Sequence, residues 1–130
     1  MKTLQNYVGG SFQAPSDGQY LDVIKPANGQ AIAKVPVSPP ADVEAVVAAS
    51  AQAQATWSQW TIKARAACML KLHSLIVEHT DELAKIVVQE NGKNYKEAVA
   101  DVAKANETVE YACSLPQLAA GRTLEVSSGG

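Results

Sequence analysis

The chain has 130 residues, of which 47% are hydrophobic and 18% are charged, with a formal net charge of −2. This length suits one hydrophobic core, and this composition excludes an intrinsically disordered chain. A mildly acidic chain without a basic stripe also argues against a general nucleic-acid binder.

No targeting or membrane segment is evident in the sequence. The N-terminal residues MKTLQNYVGGSF contain no apolar run of signal-peptide length. No stretch approaches the roughly 20 apolar residues that a membrane span needs. Cys68 and Cys113 belong to no CxxC pair, which argues against a disulfide framework or a zinc site. We therefore expect a cytoplasmic protein with neither a membrane nor a nucleic acid as partner.

The first segment, residues 1–37, is predicted to form two β-hairpins. Gly9 and Gly10 separate two short strand-like stretches and supply the positive φ angles that a tight hairpin turn needs. Leu21 and Val23 alternate with polar neighbours, as in a half-buried strand. The sequence PANG at residues 26–29 then favours a turn before the next strand.

The second segment, residues 38–116, is predicted to form four α-helices, because apolar residues recur at helical spacing. The expected helix starts are Pro39-Pro40, Thr61, Thr80 or Asp81, and Asn94. Gly92 is expected to end the third helix, because glycine adopts the left-handed cap at low cost. Pro116 is expected to end the fourth helix.

The last segment, residues 117–130, is predicted to be a loop followed by a truncated tail of small residues. The fold class expected from these three segments is α+β, with N-terminal β-hairpins followed by about four α-helices. Such an end is typical of a chain cut within a loop.

No catalytic or nucleotide-binding motif occurs in the sequence. It contains neither a GxGxxG fingerprint nor a P-loop. His73 and His79 are six residues apart on one predicted helix and cannot share a metal ion. We therefore assign no catalytic and no cofactor-binding residue to this chain.

Four features occur in an order that resembles the N-terminal region of the aldehyde dehydrogenase superfamily. They are NYVGGSF, KPANGQAIAKVP, AVVAASAQAQATW, and the pair RAACMLKLHSLI and DELAKIVVQENGK. Lys25 stands where the family commonly has asparagine. The segment EYACSLPQLAAG looks most like the methylmalonate-semialdehyde dehydrogenase branch, and other semialdehyde dehydrogenases stay open.

The resemblance implies the N-terminal segment of an NAD-dependent enzyme that oxidises a small semialdehyde. In that chemistry a cysteine thiolate attacks the aldehyde, NAD accepts the hydride, and water or coenzyme A releases the acyl group. The family's catalytic cysteine, general-base glutamate and oxyanion asparagine would all lie beyond residue 130. The fragment alone is therefore expected to be inactive and to bind no cofactor.

In the parent enzyme, the resemblance implies that this segment is part of the α/β NAD-binding domain. Its expected partners are the remainder of the chain, a small aldehyde and further copies in a homo-oligomer.

The resemblance also implies a monovalent cation site at Ile24 and Glu90. Several family members hold such a cation between a backbone carbonyl before the Pro-Ala turn and a carboxylate beside the Gly-Lys pair. These two oxygen donors suit a hard cation. The alternative is a solvated Glu90, although a negative charge at a helix C-terminus opposes the helix dipole.

Lys104 is the expected substrate-binding residue. In the methylmalonate-semialdehyde branch the matching position carries an arginine that is thought to hold the substrate carboxylate. Lys104 keeps the positive charge of that arginine but lacks its planar guanidinium group. At 100° per residue it lies about 200° from Val102, away from the predicted core stripe. The alternative is a plain solvated lysine.

A different class of function is a free-standing helical interaction module without enzymatic activity. Large exposed apolar patches would favour a segment of a larger enzyme, since such patches mark a lost partner surface. A polar surface would favour the module.

Overall fold

The computed structural model describes residues 1–121, in which five short strands precede five helices. The strands are β1 (Lys2–Thr3), β2 (Asn6–Val8), β3 (Ser11–Gln13), β4 (Tyr20–Ile24) and β5 (Ala31–Pro36). The helices are α1 (Pro40–Trp57), α2 (Ile62–Glu78), α3 (Thr80–Asn91), α4 (Tyr95–Cys113) and α5 (Leu115–Leu118). The predicted α+β fold class is confirmed, with α5 as a short addition to the four long helices.

The strands form two separate sheets. The larger has the order β1-β5-β4, in which β4 and β5 are an antiparallel hairpin and β1 adds in parallel to β5. The smaller sheet is the hairpin of β2 and β3, whose turn is Gly9-Gly10 with φ angles of 58° and 85°. Positive φ at both central residues is the type I′ pattern that matches strand twist, so the predicted glycine turn is confirmed.

Side-chain caps mark the starts of α2 and α4, and a left-handed glycine ends α3. Thr61 Oγ1 accepts a hydrogen bond from the Ala64 N–H, as predicted for the start of α2. The residue before α3 is His79 and not Thr80 or Asp81, because α3 follows α2 almost without a break. Pro116 lies in the first turn of α5, where its missing N–H costs nothing, and α4 has already ended at Cys113.

The core lies among α2, α3 and α4 and consists of small side chains. Ala84, Ala98 and Val102 are buried there, and half-buried apolar residues surround them. These neighbours are Ile76, Val87, Val88 and Val99. No large side chain is fully buried within the described part of the chain. Alanine contributes little apolar area, so this core stabilises the fold only modestly.

Helix α1 stands apart from this core. None of its side chains is buried, and Val43, Val46 and Val47 are all exposed. Its N-terminal end is held by Asn6, which donates to the Ser38 hydroxyl, and by Asp42, which accepts from the Ser16 N–H. Across residues 1–121, no helix combines the length and hydropathy that a bilayer crossing demands.

Candidate functional site

The end of α3 packs against the turn between β4 and β5. Gly92 caps the helix with a φ of 79°, and its N–H donates to the Val88 carbonyl. A Cβ built on Gly92 would lie 3.3 Å from the Pro26 Cβ. The structure therefore brings together the two segments that carry Ile24 and Glu90.

Ile24 and Glu90 differ in their surroundings. Ile24 is the last residue of β4, pairs with Ala31 and lies beside a register shift in the strand. Glu90 is exposed in the last turn of α3. Within residues 1–121 the Glu90 carboxylate makes no ion pair, and no cluster of three His, Cys, Asp or Glu residues could hold a metal ion. A cation here would depend on main-chain carbonyls as well as on Glu90.

The loop after Gly92 is held in place by two side-chain contacts. Lys93 Nζ donates to Asp101 Oδ2 at 2.5 Å, and this hydrogen bond raises the pKa of Lys93. Asn94 Oδ1 accepts from the Glu97 N–H at 3.0 Å, which confirms the predicted cap of α4. The connection from α3 to α4 is thus short and well defined.

Lys104 lies on the solvent side of α4. Its side chain is 80% exposed and forms an ion pair with Glu107, one turn further along. The hydrogen bond to Glu107 raises the pKa of Lys104, so the amine is charged at neutral pH. Val102 is buried, so Lys104 projects away from the core, as the spacing predicted. The spacing did not predict that the Lys104 ammonium group is already paired with the Glu107 carboxylate.

A network at the start of α3 joins it to α4. Asp81 accepts hydrogen bonds from Lys85 Nζ at 2.5 Å and from the Tyr95 hydroxyl at 2.6 Å. The Lys85 and Tyr95 hydrogen bonds lower the pKa of Asp81. The same hydrogen bond to Asp81 raises the pKa of the Tyr95 hydroxyl. The network orders the helix pair and contains no group prepared for proton transfer.

An apolar cavity of about 310 Å³ lies where α1, α2, α4 and α5 meet. It is lined by Trp57, Ile62, Arg65, Ala66, Met69, Ala112 and Leu115. The helix pattern alone did not predict this cavity, although one signal for it is present in the sequence. Arg65 is three residues from Ile62 and four from Met69, so it lies on the apolar face of α2 and not on the polar face.

A buried polar side chain lies on the inner face of α4. Asn106 is only 7% exposed, and its Oδ1 has no hydrogen-bond partner. His73 Nδ1 on α2 is likewise buried and unpartnered. Asn106 is four residues after Val102, so periodicity alone places it on the core face. Asn106 was not predicted to be buried, because the predicted core face of α4 was defined by apolar residues only.

Curated relatives of the chain include malonate-semialdehyde dehydrogenases. The sequence matches the model of the Aldehyde dehydrogenase family over residues 12–130. Malonate-semialdehyde dehydrogenase 1 of Geobacillus kaustophilus (strain HTA426) is 43% identical over 121 residues, covering 93% of this chain and 25% of that protein. Malonate-semialdehyde dehydrogenase of Bacillus pumilus (strain SAFR-032) is 39% identical over 130 residues, covering 99% and 27% respectively.

Solved structures show the same arrangement of elements. A putative methylmalonate-semialdehyde dehydrogenase from Sinorhizobium meliloti 1021, complexed with NAD, matches with a TM-score of 0.94 and 26% identity, covering 100% of this chain and 26% of that one. Succinate-semialdehyde dehydrogenase from Burkholderia pseudomallei matches with a TM-score of 0.91 and 31% identity, covering 96% and 26%.

The chain spans about a quarter of the length of the relatives and structures that it matches. The family match covers all but the first 11 residues. The structural match extends over nearly the whole chain. This chain belongs to the aldehyde dehydrogenase family.

Proposed function

We propose that the chain is the N-terminal part of an NAD-dependent aldehyde dehydrogenase that oxidises a small semialdehyde of the malonate or methylmalonate type. The observation that carries this proposal is the 43% identity to a malonate-semialdehyde dehydrogenase over 93% of the chain. The NAD complex of the Sinorhizobium meliloti structure supports NAD as the cofactor. The active enzyme is proposed to be a homo-oligomer.

The catalytic nucleophile is proposed to lie beyond residue 130. Cys68 and Cys113 are free, half-buried thiols on the packed helices α2 and α4, and Cys113 Sγ donates to the Val109 carbonyl. A reducing compartment such as the cytoplasm is proposed, because neither cysteine belongs to a CxxC pair.

NAD, when bound, supplies the hydride acceptor for the aldehyde carbon. The sequence of this chain has no glycine-rich phosphate loop, so the cofactor is assigned to the remainder of the enzyme. Water or coenzyme A would then release the acyl group.

Lys104 is proposed to attract the carboxylate of the acidic aldehyde. Its exposed ammonium group is available to a ligand once the Glu107 pair opens. An exposed ion pair is worth little, so its opening costs little. A point charge also orients a carboxylate less strictly than a guanidinium fork does.

Ile24 and Glu90 are proposed to hold a monovalent cation, which would fasten the β4–β5 turn to the end of α3. The contact of Gly92 with Pro26 supports this proposal, because it brings the carbonyl and carboxylate segments together. A test is the thermal stability in KCl and in a bulky-cation chloride of equal ionic strength. Glu90→Gln should abolish the difference between the salts, and Glu78→Gln should preserve it.

A free-standing interaction module fits the surface less well. Val47 on α1 is 62% exposed, and Leu70 and Val77 on α2 are 54% and 57% exposed. Exposed apolar side chains on several elements support the role of a segment that packs against a larger body. A free-standing module would be favoured by a polar surface instead.

The experiment that tests the proposed function uses the full-length enzyme that contains this chain. NADH formation is followed with malonate semialdehyde, methylmalonate semialdehyde and propanal, with and without coenzyme A, and the acyl product is identified. Turnover of an acidic semialdehyde with NAD is the expected result. Reduction of NAD by the isolated 130-residue chain, or micromolar NAD binding to it, would contradict the assignment.

A further inference from the structure

The cavity at the junction of α1, α2, α4 and α5 combines an apolar wall with one charged group. Its volume is about 310 Å³, at the lower end of the range for ligand or peptide side-chain pockets. Six of the seven lining residues are apolar, and the seventh is Arg65. Such a wall favours the binding of apolar side chains, and the Arg65 guanidinium requires that the bound group also supplies a hydrogen-bond acceptor.

Arg65 lacks a partner for the innermost part of its guanidinium group. Its Nε–H is buried and donates to no hydrogen-bond acceptor within the described residues. Arg65 also takes part in none of the ion pairs found within residues 1–121. A buried N–H of a charged group that is left unpaired destabilises the structure, so a native environment supplies an oxygen acceptor.

The side chains that line the cavity cannot supply that acceptor, and no main-chain carbonyl accepts a hydrogen bond from Nε. The side chains of Ile62, Ala66, Met69, Ala112 and Leu115 carry no oxygen, and the Trp57 indole is a donor only. The acceptor must come from an added group. The charge of the guanidinium makes a carboxylate the complementary choice, since charge-assisted pairs are shorter and stronger than neutral hydrogen bonds.

We propose that this cavity is the docking site for a segment of the polypeptide that follows residue 130 in the full-length enzyme. That segment places apolar side chains beside Trp57 and Met69 and an Asp or Glu carboxylate on Arg65. The matched relatives are about four times as long as this chain, so the partner is covalently tethered and present at high effective concentration. The proposal rests on family membership and not on the identity of the aldehyde.

The occupant can be identified by photo-crosslinking in the full-length enzyme that contains this chain. The same test can be made in the Geobacillus kaustophilus enzyme after its matching first quarter is replaced by this chain. A photoreactive phenylalanine analogue is introduced at Leu115 on the cavity wall and, as a control, at Tyr7 on the distant β2 strand. Mass spectrometry of the Leu115 adduct should give a peptide from beyond residue 130 of the same chain, with an Asp or Glu among apolar residues.

Charge variants then test the pairing itself. Arg65→Met should lower the Tm of the full-length enzyme by roughly 5 °C or more, and Arg65→Lys should restore part of the loss. Lys63→Met removes an exposed charge from the same helix and should change the Tm by less than about 1 °C. Arg65→Glu should be rescued by Lys or Arg at the crosslinked acid.

Three results would overturn the proposal. One is a Leu115 crosslink to a second copy of this chain, which would assign the cavity to self-association. Another is an adduct without any acidic residue. The third is an equal Tm change in Arg65→Met and Lys63→Met. None of these readouts depends on dehydrogenase activity.

Discussion

Gly92 lies against the ring of Pro26, so the turn between β4 and β5 is seated on the C-terminal end of α3. The position demands glycine for two reasons, which are its φ of 79° and the 3.3 Å approach of a built Cβ to the Pro26 Cβ. Gly18 has a similar φ of 69°, but a Cβ there would meet nothing within 4 Å. A substitution at Gly18 therefore tests backbone strain alone, whereas one at Gly92 tests backbone strain together with the steric contact.

Gly92→Ala is expected to destabilise the protein more than Gly18→Ala. The left-handed backbone costs alanine about 1 kcal/mol at either position. At Gly92 the displaced Pro26 turn adds roughly 1 kcal/mol or more. The free energy of unfolding from urea denaturation measures both changes. If both variants lose the same free energy of unfolding, the Pro26 contact does not contribute to the requirement for glycine at position 92.

Local signals in the sequence predicted the order and ends of the elements well. Gly9-Gly10, Thr61, Gly92 and Asn94 each act through their own backbone or the next few residues, and the structure confirms all four. Such short-range effects are present in the sequence itself. The start of α3 differed because His79 continues from α2, and that continuity depends on how the two helices pack.

Burial could not be predicted in the same way. Leu72 and Leu75 occur at the spacing of a core face, yet both are exposed, and the buried positions on α4 include Asn106. Periodicity finds the face of a helix but does not say which body covers it. In this family three-quarters of the relatives' length lies outside the chain, so many apolar faces have no cover within residues 1–121.

The Asp81 network should make stability depend on pH in the acid range. Hydrogen bonds from Lys85 and Tyr95 lower the pKa of Asp81 below its usual value of 3.8 in the folded state. The unfolded chain therefore takes up the proton first, and the contribution of Asp81 is full above pH 3.8 and is lost as the pH falls through the lower folded value. Asp81→Asn should flatten the stability curve as the pH falls below about 3.8.

Asp22→Asn serves as the control, because Asp22 is an exposed carboxylate on β4. Its stability curve should retain the acid slope of the parent chain. Urea denaturation at several pH values measures the free energy of unfolding in all three proteins. If the free energy of unfolding of Asp81→Asn falls with acid as steeply as that of the parent chain, Asp81 does not cause the pH dependence.

Asn106→Leu is expected to stabilise the 130-residue chain. Asn106 Oδ1 is buried without a partner, and replacing it with an apolar side chain of similar size removes that penalty. Leucine is also the better helix former. The expected gain is about 1 kcal/mol in the free energy of unfolding. Asn94→Leu is the opposite control, since it removes the α4 cap and should cost about 1 kcal/mol. Destabilisation by Asn106→Leu would mean that Oδ1 has a partner in solution.

Lys104 should distinguish acidic from neutral aldehydes in the full-length enzyme. Lys104→Ala removes a charge-assisted contact, so kcat/KM for malonate semialdehyde should fall about tenfold while that for propanal is unchanged. Glu107→Gln frees the ammonium group from its ion pair and should raise kcat/KM for the acidic aldehyde alone. Lys104→Arg should raise it as well, because the guanidinium binds a carboxylate through two hydrogen bonds.

Lys96→Ala is the matched control for the kinetics of Lys104. It removes another exposed lysine from α4 and should leave the ratio of the two kcat/KM values as it is in the parent enzyme. That ratio is the decisive quantity, because a general loss of stability lowers both values together. If Lys104→Ala lowers both substrates equally or changes neither, and Glu107→Gln is without effect, Lys104 is a solvated lysine. A selective loss for the acidic aldehyde, with the opposite change in Glu107→Gln, is the outcome expected of a residue that contacts the substrate carboxylate.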